Sequence, residues 1–291
     1  FAPVFVDEPS VEETIEMLSV RLKGIRESLL YVAADCMEVL PSITSGSVDV
    51  CVTSPPYNIK IGYRSYSDDL ERRDYLGWIG RVSQELLRVL SDRGSLFLNV
   101  GFTSTDPWVD LDVANVFRRD WVLQNRINWV KSIHTGERTI GHFKPVNSPR
   151  YLNRTWEHIF QFTKTGDVPI DRLAIGVPYQ DKGNIDRSDR DTDLRCRGNV
   201  WLVPYETIND RARQRGRHPA TFAAELPRMC IELHGLDRVG KVLDPFGGIG
   251  TTLLAALELG VEGIGVELDL GYACEALERM LDACDDIGLK G

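Results

Sequence analysis

The chain has 291 residues, of which 43% are hydrophobic and 9% aromatic, as in globular proteins with a full core. No stretch approaches the ~18 uncharged apolar residues of a membrane-spanning helix. No basic segment followed by an apolar one opens the chain, so export is not expected. The six cysteines form no C-x-x-C pair and no zinc-type spacing, which indicates reduced core thiols, a cytoplasmic location and no metal.

Hydrophobic periodicity predicts alternating helices and strands. Helices are expected over 11–23, 71–90, 109–117 and 253–259, with a helical turn after Asp35. Strands are expected over 29–34, 48–52, 94–100, 122–131, 158–162 and 263–266. This alternation predicts an α/β fold with a doubly wound, mostly parallel sheet and helices on both faces.

The segment 53–58, Thr-Ser-Pro-Pro-Tyr-Asn, directly follows the β-branched run 48–52, which is typical of a buried strand. Its two prolines fix their own φ and favour extended geometry before them, so the chain leaves the strand rigidly. We expect the Ser54 hydroxyl and nearby carbonyl oxygens to point outward beside the Tyr57 ring. Acceptors next to a flat apolar face suit a planar group with an NH2, such as a nucleobase edge. The alternative is a proline-stiffened surface loop.

A second segment, residues 242–252, has the pattern of a strand, a glycine turn and a helix start. Its glycines let a ligand approach the backbone, and the helix N-terminus offers free N–H groups. Glu267 ends the next predicted strand, about 20 residues after the first glycine, where Rossmann-type sites place a ribose-binding carboxylate. The turn does not complete the G-x-G-x-x-G pattern. With Glu267, however, it predicts binding of a nucleoside-containing cofactor.

Together these turns resemble the catalytic and S-adenosylmethionine motifs of DNA amino-methyltransferases, which methylate the exocyclic nitrogen of cytosine or adenine. The order, with the catalytic motif first, resembles the circularly permuted beta class. Residues 34–40 are similar to the segment whose Asp reaches the cofactor adenine. Residues 199–201 and 218–222 are similar to the run before the cofactor turn.

The resemblance implies a base site and a cofactor site. Ser54 Oγ and the Pro55 carbonyl would accept hydrogen bonds from the amine within the rigid Pro55-Pro56 turn, and Tyr57 would stack on a base flipped out of double-stranded DNA. Asp35 would take the cofactor adenine, Glu267 the ribose, and residues 218–221 the methionine end. The expected cofactor-binding residues are Asp35, Asp244, Pro245, Phe246, Gly247, Gly248, Gly250, Thr251, Thr252, Glu267, Leu268, His218, Pro219, Ala220 and Thr221.

The first motif residue bears on the substrate base. Family members with Asp there are mostly adenine enzymes, whereas Ser54 resembles the cytosine-N4 group. A neutral hydroxyl both donates and accepts, which suits cytosine's amino group beside its ring nitrogen, whereas an aspartate only accepts. We therefore expect cytosine N4, with adenine N6 as the alternative.

The net charge of −9 argues at first sight against a nucleic-acid partner, but the charge is unevenly divided. Residues 118–218 carry 19 Lys+Arg against 12 Asp+Glu, and the remainder carries 15 against 31. Asp residues interleave with the arginines around 187–197, which could form either a solvated acid-paired face or a DNA contact. The arginines around 211–217 favour phosphate contact. The expected DNA-binding residues are Arg187, Arg195, Arg197, Arg211, Arg213 and Arg215.

The chain is expected to divide into four parts. Residues 1–27 would be a helical extension, 28–131 the catalytic half, and 199–291 the cofactor-binding half. Residues 132–198 would be a small target-recognition insertion, within which 158–163 return to the core sheet.

The resemblance also implies a restriction-modification context, with a cognate restriction endonuclease as a possible partner. We expect a monomer or homodimer in the cytoplasm of a bacterium or archaeon, associated with the nucleoid. Two other classes stay open. A nicotinamide-dependent oxidoreductase would use the glycine turn and Glu267 but leaves the Ser-Pro-Pro-Tyr turn unexplained. The other is a DNA-binding relative without catalytic activity.

Overall fold

The strands of the described residues form one nine-stranded sheet. The computed structural model describes residues 10, 12–13, 15–18, 28–135, 138–141, 146–184, 192–204 and 223–286, with backbone alone for 133–135 and 138–141. The strands are β1 (Leu29–Ala33), β2 (Val48–Thr53), β3 (Leu90–Val100), β4 (Val122–Thr135), β5 (Arg138–Gly141), β6 (Trp156–Thr163), β7 (Val200–Pro204), β8 (Lys241–Asp244) and β9 (Glu262–Glu267).

The sheet is mostly parallel. Its order is β1-β9-β8-β2-β3-β6-β4-β5, with β7 paired to β4. The first five strands of this order run parallel to one another, and β7 runs parallel to β4. Strand β6 is antiparallel to both β3 and β4, and β5 is antiparallel to β4.

Helices cover both faces of the sheet. They are α1 (Cys36–Val39), α2 (Arg72–Val89), α3 (Val109–Phe117), α4 (Glu225–His234), α5 (Thr251–Leu259) and α6 (Leu270–Asp286). On β2, Cys51 packs in the cluster that contains α2 and α3, whereas its neighbours Val50 and Val52 pack in the cluster that contains α4. Because side chains alternate along a strand, this pattern requires apolar cover on both faces. The helices predicted over 71–90, 109–117 and 253–259 and the alternating architecture are therefore observed.

Strands β3 and β4 extend furthest beyond the bounds that the periodicity predicts. Strand β3 begins at Leu90, directly after α2, and β4 continues to Thr135. The extra length of β4 is stabilised by pairing with β5 on one side and β7 on the other. The expected boundary at 131/132 falls within this strand, so the proposed recognition insertion begins as a continuation of the sheet. Residues 15–18 of the expected N-terminal helix are helical.

Candidate active site

The two sequence motifs meet because β2 and β8 are adjacent strands, with Val50 opposite Val242 and Cys51 opposite Leu243. From β8 the chain crosses to β9 on one side, and from β2 it crosses to β3 on the other. Such a reversal of strand order opens a crevice at the carboxyl ends of the strands. The turn after Thr53 and the turn after Asp244 therefore face the same crevice.

Asp244 ties the two turns together. Its Oδ1 accepts hydrogen bonds from Thr53 Oγ1 at 2.7 Å and from the Phe246 N–H at 3.1 Å, and its Oδ2 accepts from Thr252 Oγ1 at 2.6 Å. The residue is buried, and burial raises the pKa of its carboxyl to about 6, although these three hydrogen bonds act in the opposite direction. Asp244 and Thr252 lie behind the cleft wall, where they position the glycine turn.

The glycine turn is packed tightly from behind. A Cβ added to Gly247 would lie 2.5 Å from the Tyr31 hydroxyl oxygen, and that hydroxyl donates to the Gly248 carbonyl at 2.7 Å. Gly248 and Gly250 have φ of 54° and 77°, the left-handed region that favours glycine. Gly250 is the N-cap of α5, so the first N–H groups of this helix lie at the turn.

Two carboxylates predicted to bind the cofactor line the cleft that opens at this turn. Glu267 accepts from the Gly248 N–H and the Asp269 N–H, both at 2.9 Å, and burial raises its pKa. A carboxylate has about four lone-pair sites, so Glu267 can still accept from ribose hydroxyls. Asp35 is exposed at the mouth, where it caps α1 through a 2.8 Å hydrogen bond from the Met37 N–H.

Aromatic rings, which the sequence did not assign to the site, form the opposite wall. Tyr63, Tyr66 and Trp78 line the cleft together with Phe246. The Trp78 ring centroid lies 5.5 Å from that of Phe246 and 5.8 Å from that of Tyr66. Aromatic faces suit both a stacked adenine ring and a cationic sulfonium. The helical spacing of Trp78 predicted a core residue, and the tyrosines lie in a loop without periodicity.

That loop, residues 58–70, is held by Asp68. Its carboxylate accepts from the backbone N–H groups of Asn58, Ile59 and Ile61 at 2.7, 3.0 and 2.9 Å. These bonds help hold Asn58 at a φ of 58°, a left-handed conformation that is uncommon outside glycine. The Ser65 hydroxyl donates to Asp269 at 2.7 Å, which fastens the loop beside the end of β9.

The turn that the sequence predicts to be catalytic, residues 54–57 (the catalytic turn), carries a hydrogen-bond network. The Ser54 and Tyr57 hydroxyl oxygens are 2.8 Å apart. The Asn99 side-chain NH2 donates to the Tyr57 oxygen at 2.8 Å, and the Tyr57 hydroxyl donates to Glu157 at 3.3 Å. The Tyr75 hydroxyl donates to the Pro56 carbonyl at 2.8 Å, which anchors the turn on α2.

The structure brings most of the predicted catalytic and cofactor-binding residues into one cleft. The free space of this cleft, counted together with the open solvent at its mouth, is about 960 Å³. Its predicted lining residues are Asp35, Ser54, Pro55, Pro56, Tyr57, Pro245, Phe246, Gly248, Thr251, Glu267 and Leu268. The combination of carboxylates, aromatic faces and a glycine turn fits S-adenosylmethionine, since it matches hydroxyl groups, a purine ring and a sulfonium.

The predicted DNA-contacting residues are less well placed. Arg195 is exposed, whereas the partly buried Arg197 donates from Nε to the Ile175 carbonyl at 3.0 Å. Neither lines the cleft. The remaining predictions lie outside the described residues: His218, Pro219, Ala220, Thr221, Arg187, Arg211, Arg213 and Arg215. In the part of the chain that the structure describes, no group of three His, Cys, Asp or Glu could hold a metal ion.

The family model described as DNA methylase, for N6 and N4 methyltransferases, matches residues 48–278. The chain belongs to this DNA methylase family. The match includes both motifs and the strands that carry them. As a member, the methylase uses S-adenosylmethionine as methyl donor and DNA as substrate. The oxidoreductase interpretation is thereby wrong.

Individual proteins agree with this assignment. The type II methyltransferase M.SmaI of Serratia marcescens is 28% identical, with 93% of this chain and 95% of that protein aligned. The DNA adenine methyltransferase YhdJ of Escherichia coli K12 is 24% identical, with 87% and 83% aligned.

Solved structures confirm the fold class. PvuII DNA methyltransferase, described as cytosine-N4-specific, superposes with a TM-score of 0.62 at 18% identity over 89% of this chain and 92% of that chain. The Thermus thermophilus protein TTHA0409, solved in complex with S-adenosyl-L-methionine, gives a TM-score of 0.58 at 25% identity over 87% of this chain and 93% of that chain. Within the described part of the methylase, no helix combines the length and apolarity needed to cross a membrane.

Proposed function

We propose that this DNA methylase transfers a methyl group to the exocyclic N4 amine of cytosine, in a duplex from which the base has been flipped. The observation that carries the proposal is the position of Ser54, which lies in the cleft beside the glycine turn. The resemblance of its Ser-Pro-Pro-Tyr turn to the cytosine-N4 group supports cytosine. The fold neighbour PvuII methyltransferase is likewise described as cytosine-N4-specific.

The residues of the catalytic turn act on the amine. Its lone pair is delocalised into the ring, which makes it a poor nucleophile. Acceptance of its N–H hydrogens by Ser54 Oγ and the Pro55 carbonyl favours a more tetrahedral nitrogen and frees the lone pair. The Tyr57 ring holds the base by stacking. When bound, S-adenosylmethionine supplies an electrophilic methyl group, so the chain contributes mainly positioning and desolvation.

The lining of the cleft supports the assignment of the cofactor-binding residues. Glu267 binds the ribose hydroxyls, Asp35 the adenine amino group, and the aromatic wall packs against the ring and the sulfonium. Residues 218–221 close the methionine end, as the resemblance implies. We also propose that the methylase is of the beta class, because its catalytic motif precedes its cofactor motif in the chain.

The DNA lies over the carboxyl edge of the sheet, where the cleft opens. The long strand β4 and its partner β5 extend the sheet beyond the level of Val100, since Asn128 already lies opposite His158, which pairs with Val100. This extension and the polar segment after β6 present side chains for target recognition. Since relatives such as M.SmaI are type II methyltransferases, a cognate restriction endonuclease is the proposed partner.

A second candidate, adenine-N6 methylation, is favoured by one observation, the similarity to the adenine methyltransferase YhdJ. Expression in a host without DNA methylases, followed by mass spectrometry of the digested DNA, separates the two. N4-methyldeoxycytidine is the expected product. N6-methyldeoxyadenosine would replace the proposal by the alternative, and the absence of both would contradict methyl transfer. Cells that express Ser54→Ala provide the control.

A further inference from the structure

We propose that Glu157 is a positioning residue that fixes the direction of the Ser54 hydroxyl, so that Ser54 presents its lone pairs to the substrate amine. The inference rests on the proposed role of Ser54 as an acceptor. It concerns a residue from β6, 100 positions away from Tyr57 along the chain, that the motif resemblance does not include.

The direction of each hydrogen bond follows from counting protons. Asn99 points its NH2 at two acceptors, the Tyr57 oxygen at 2.8 Å and Glu157 Oε2 at 2.9 Å. The Tyr57 oxygen therefore already accepts one hydrogen bond. Tyr57 has one proton to donate, and Glu157 Oε2 lies 3.3 Å from its oxygen. An ionised carboxylate can only accept, and it is a stronger acceptor than the Ser54 hydroxyl, so we assign the Tyr57 proton to Glu157.

Ser54 must then donate to Tyr57. The two hydroxyl oxygens are 2.8 Å apart, and one of them has to supply the proton. Since the Tyr57 proton is directed to Glu157, the Ser54 proton points at the Tyr57 oxygen. Both lone pairs of Ser54 Oγ are left for the cleft. This direction also revises the sequence argument on the base, because Ser54 donates to Tyr57 and not to a ring nitrogen.

The surroundings keep this arrangement intact. The side chain of Glu157 is 15% exposed and forms an ion pair with Lys131 from β4. Burial and the nearby Glu157 carboxylate raise the pKa of Tyr57 well above its ordinary range, so Tyr57 keeps its proton. Gly101 leaves room for the network, since an added Cβ would lie 2.9 Å from the Tyr57 ring and 3.0 Å from the Glu157 carboxyl carbon.

The test is Glu157→Gln, which keeps the size of the side chain but allows an NH2 to face Tyr57. That donor would turn the Tyr57 proton towards Ser54 and consume a lone pair needed by the amine. Single-turnover methyl transfer at saturating DNA and cofactor should fall by about 10-fold or more. The dissociation constant for S-adenosylmethionine, measured by calorimetry, should stay within about 2-fold. Full activity would overturn the inference.

Three further variants distinguish an effect on the direction of the Ser54 hydroxyl from a general structural effect of the substitution. Glu157→Asp keeps an accept-only group and should be more active than Glu157→Gln. Lys131→Gln removes the ion pair and should retain most activity, whereas an equal loss would assign the effect to the ion pair and contradict the inference. In a Ser54→Ala background, Glu157→Gln should have no further effect, because it acts through Ser54. If the rate losses of the two single variants multiply in the double variant, Glu157 does not act through Ser54 and the inference is overturned.

Should Glu157→Gln not bind the cofactor, Tyr57→Phe carries the test. It keeps the stacking ring but removes the hydroxyl, and a loss of about 10-fold is again expected. Wild-type rates in this variant would refute the inference. The Ser54→Ala variant distinguishes failure of the proposed function from failure of this inference. If Ser54→Ala is active, the proposed role of Ser54 fails. If Ser54→Ala is impaired but Glu157→Gln is fully active, only the inference about Glu157 fails.

Discussion

The free energy of unfolding of the Asp244→Asn methylase, compared with that of the wild type at the same pH, should increase as the pH rises. Burial raises the pKa of Asp244 from 3.8 to about 6, so the folded state binds a proton more tightly than the unfolded state. The contribution of protonated Asp244 to the free energy of unfolding is therefore fully present below the pKa of the unfolded state. It is lost as the pH rises through the pKa of the folded state. At 1.36 kcal/mol per pH unit, the full loss is about 3 kcal/mol. Between about pH 4.5 and about pH 7.5 it amounts to about 2 kcal/mol.

Asparagine does not titrate, so this loss should disappear in the variant. Denaturant unfolding of both proteins across the pH range gives the difference in unfolding free energy, in which the other titrating groups cancel. That difference should shift in favour of Asp244→Asn by about 2 kcal/mol. A pH-independent difference would refute the reasoning. Thr252→Val is a second check: it removes a hydrogen bond that lowers the pKa of Asp244, so the loss of stability with rising pH should be larger in this variant than in the wild type.

Three other predictions concern the cofactor, the catalytic turn and DNA. Gly248→Val, at a φ of 54°, should abolish S-adenosylmethionine binding in calorimetry without unfolding the protein. The control Gly77→Ala, at an exposed position on α2, should bind the cofactor normally. Undiminished affinity of Gly248→Val would contradict the placement of the cofactor at the glycine turn. Gly101→Ala should displace the Tyr57 ring and slow methyl transfer at unchanged cofactor affinity, and a wild-type rate would contradict this. Alanine at three arginines should weaken binding of all DNA sequences alike and flatten its salt dependence, whereas a sequence-selective loss in salt titrations would argue against phosphate contact. These arginines are Arg211, Arg213 and Arg215.

The sequence predicted the two halves of the site because each motif is local. The strand, the rigid turn and Ser54 are adjacent in the chain, and so are the glycine turn and the start of α5. Glu267 was found because a single strand–helix–strand unit fixes its distance from the glycines. The meeting of the halves depends on the pairing of β2 with β8, which local periodicity does not reveal.

The site residues that the sequence did not predict reach the site only through tertiary structure. Asn99 lies next to the end of β3 and Glu157 next to the start of β6, and these strands pair antiparallel, so the contact of the two residues depends on sheet register. The apolar spacing of α2 assigned Trp78 to the core, although its ring also lines the cleft. Asp244 has a motif position typical of a cofactor contact, yet its hydrogen bonds show that it acts behind the cleft wall.

The central claim is that the turn after β2 performs methyl transfer with the cofactor held by the turn after β8. Single-turnover transfer by Ser54→Ala, with cofactor affinity measured on the same preparation, tests it most directly. The rate should fall by ~10²–10³, the usual cost of losing one well-placed hydrogen bond to a reacting group, while affinity for S-adenosylmethionine is retained. A rate within a few-fold of the wild type would contradict the account.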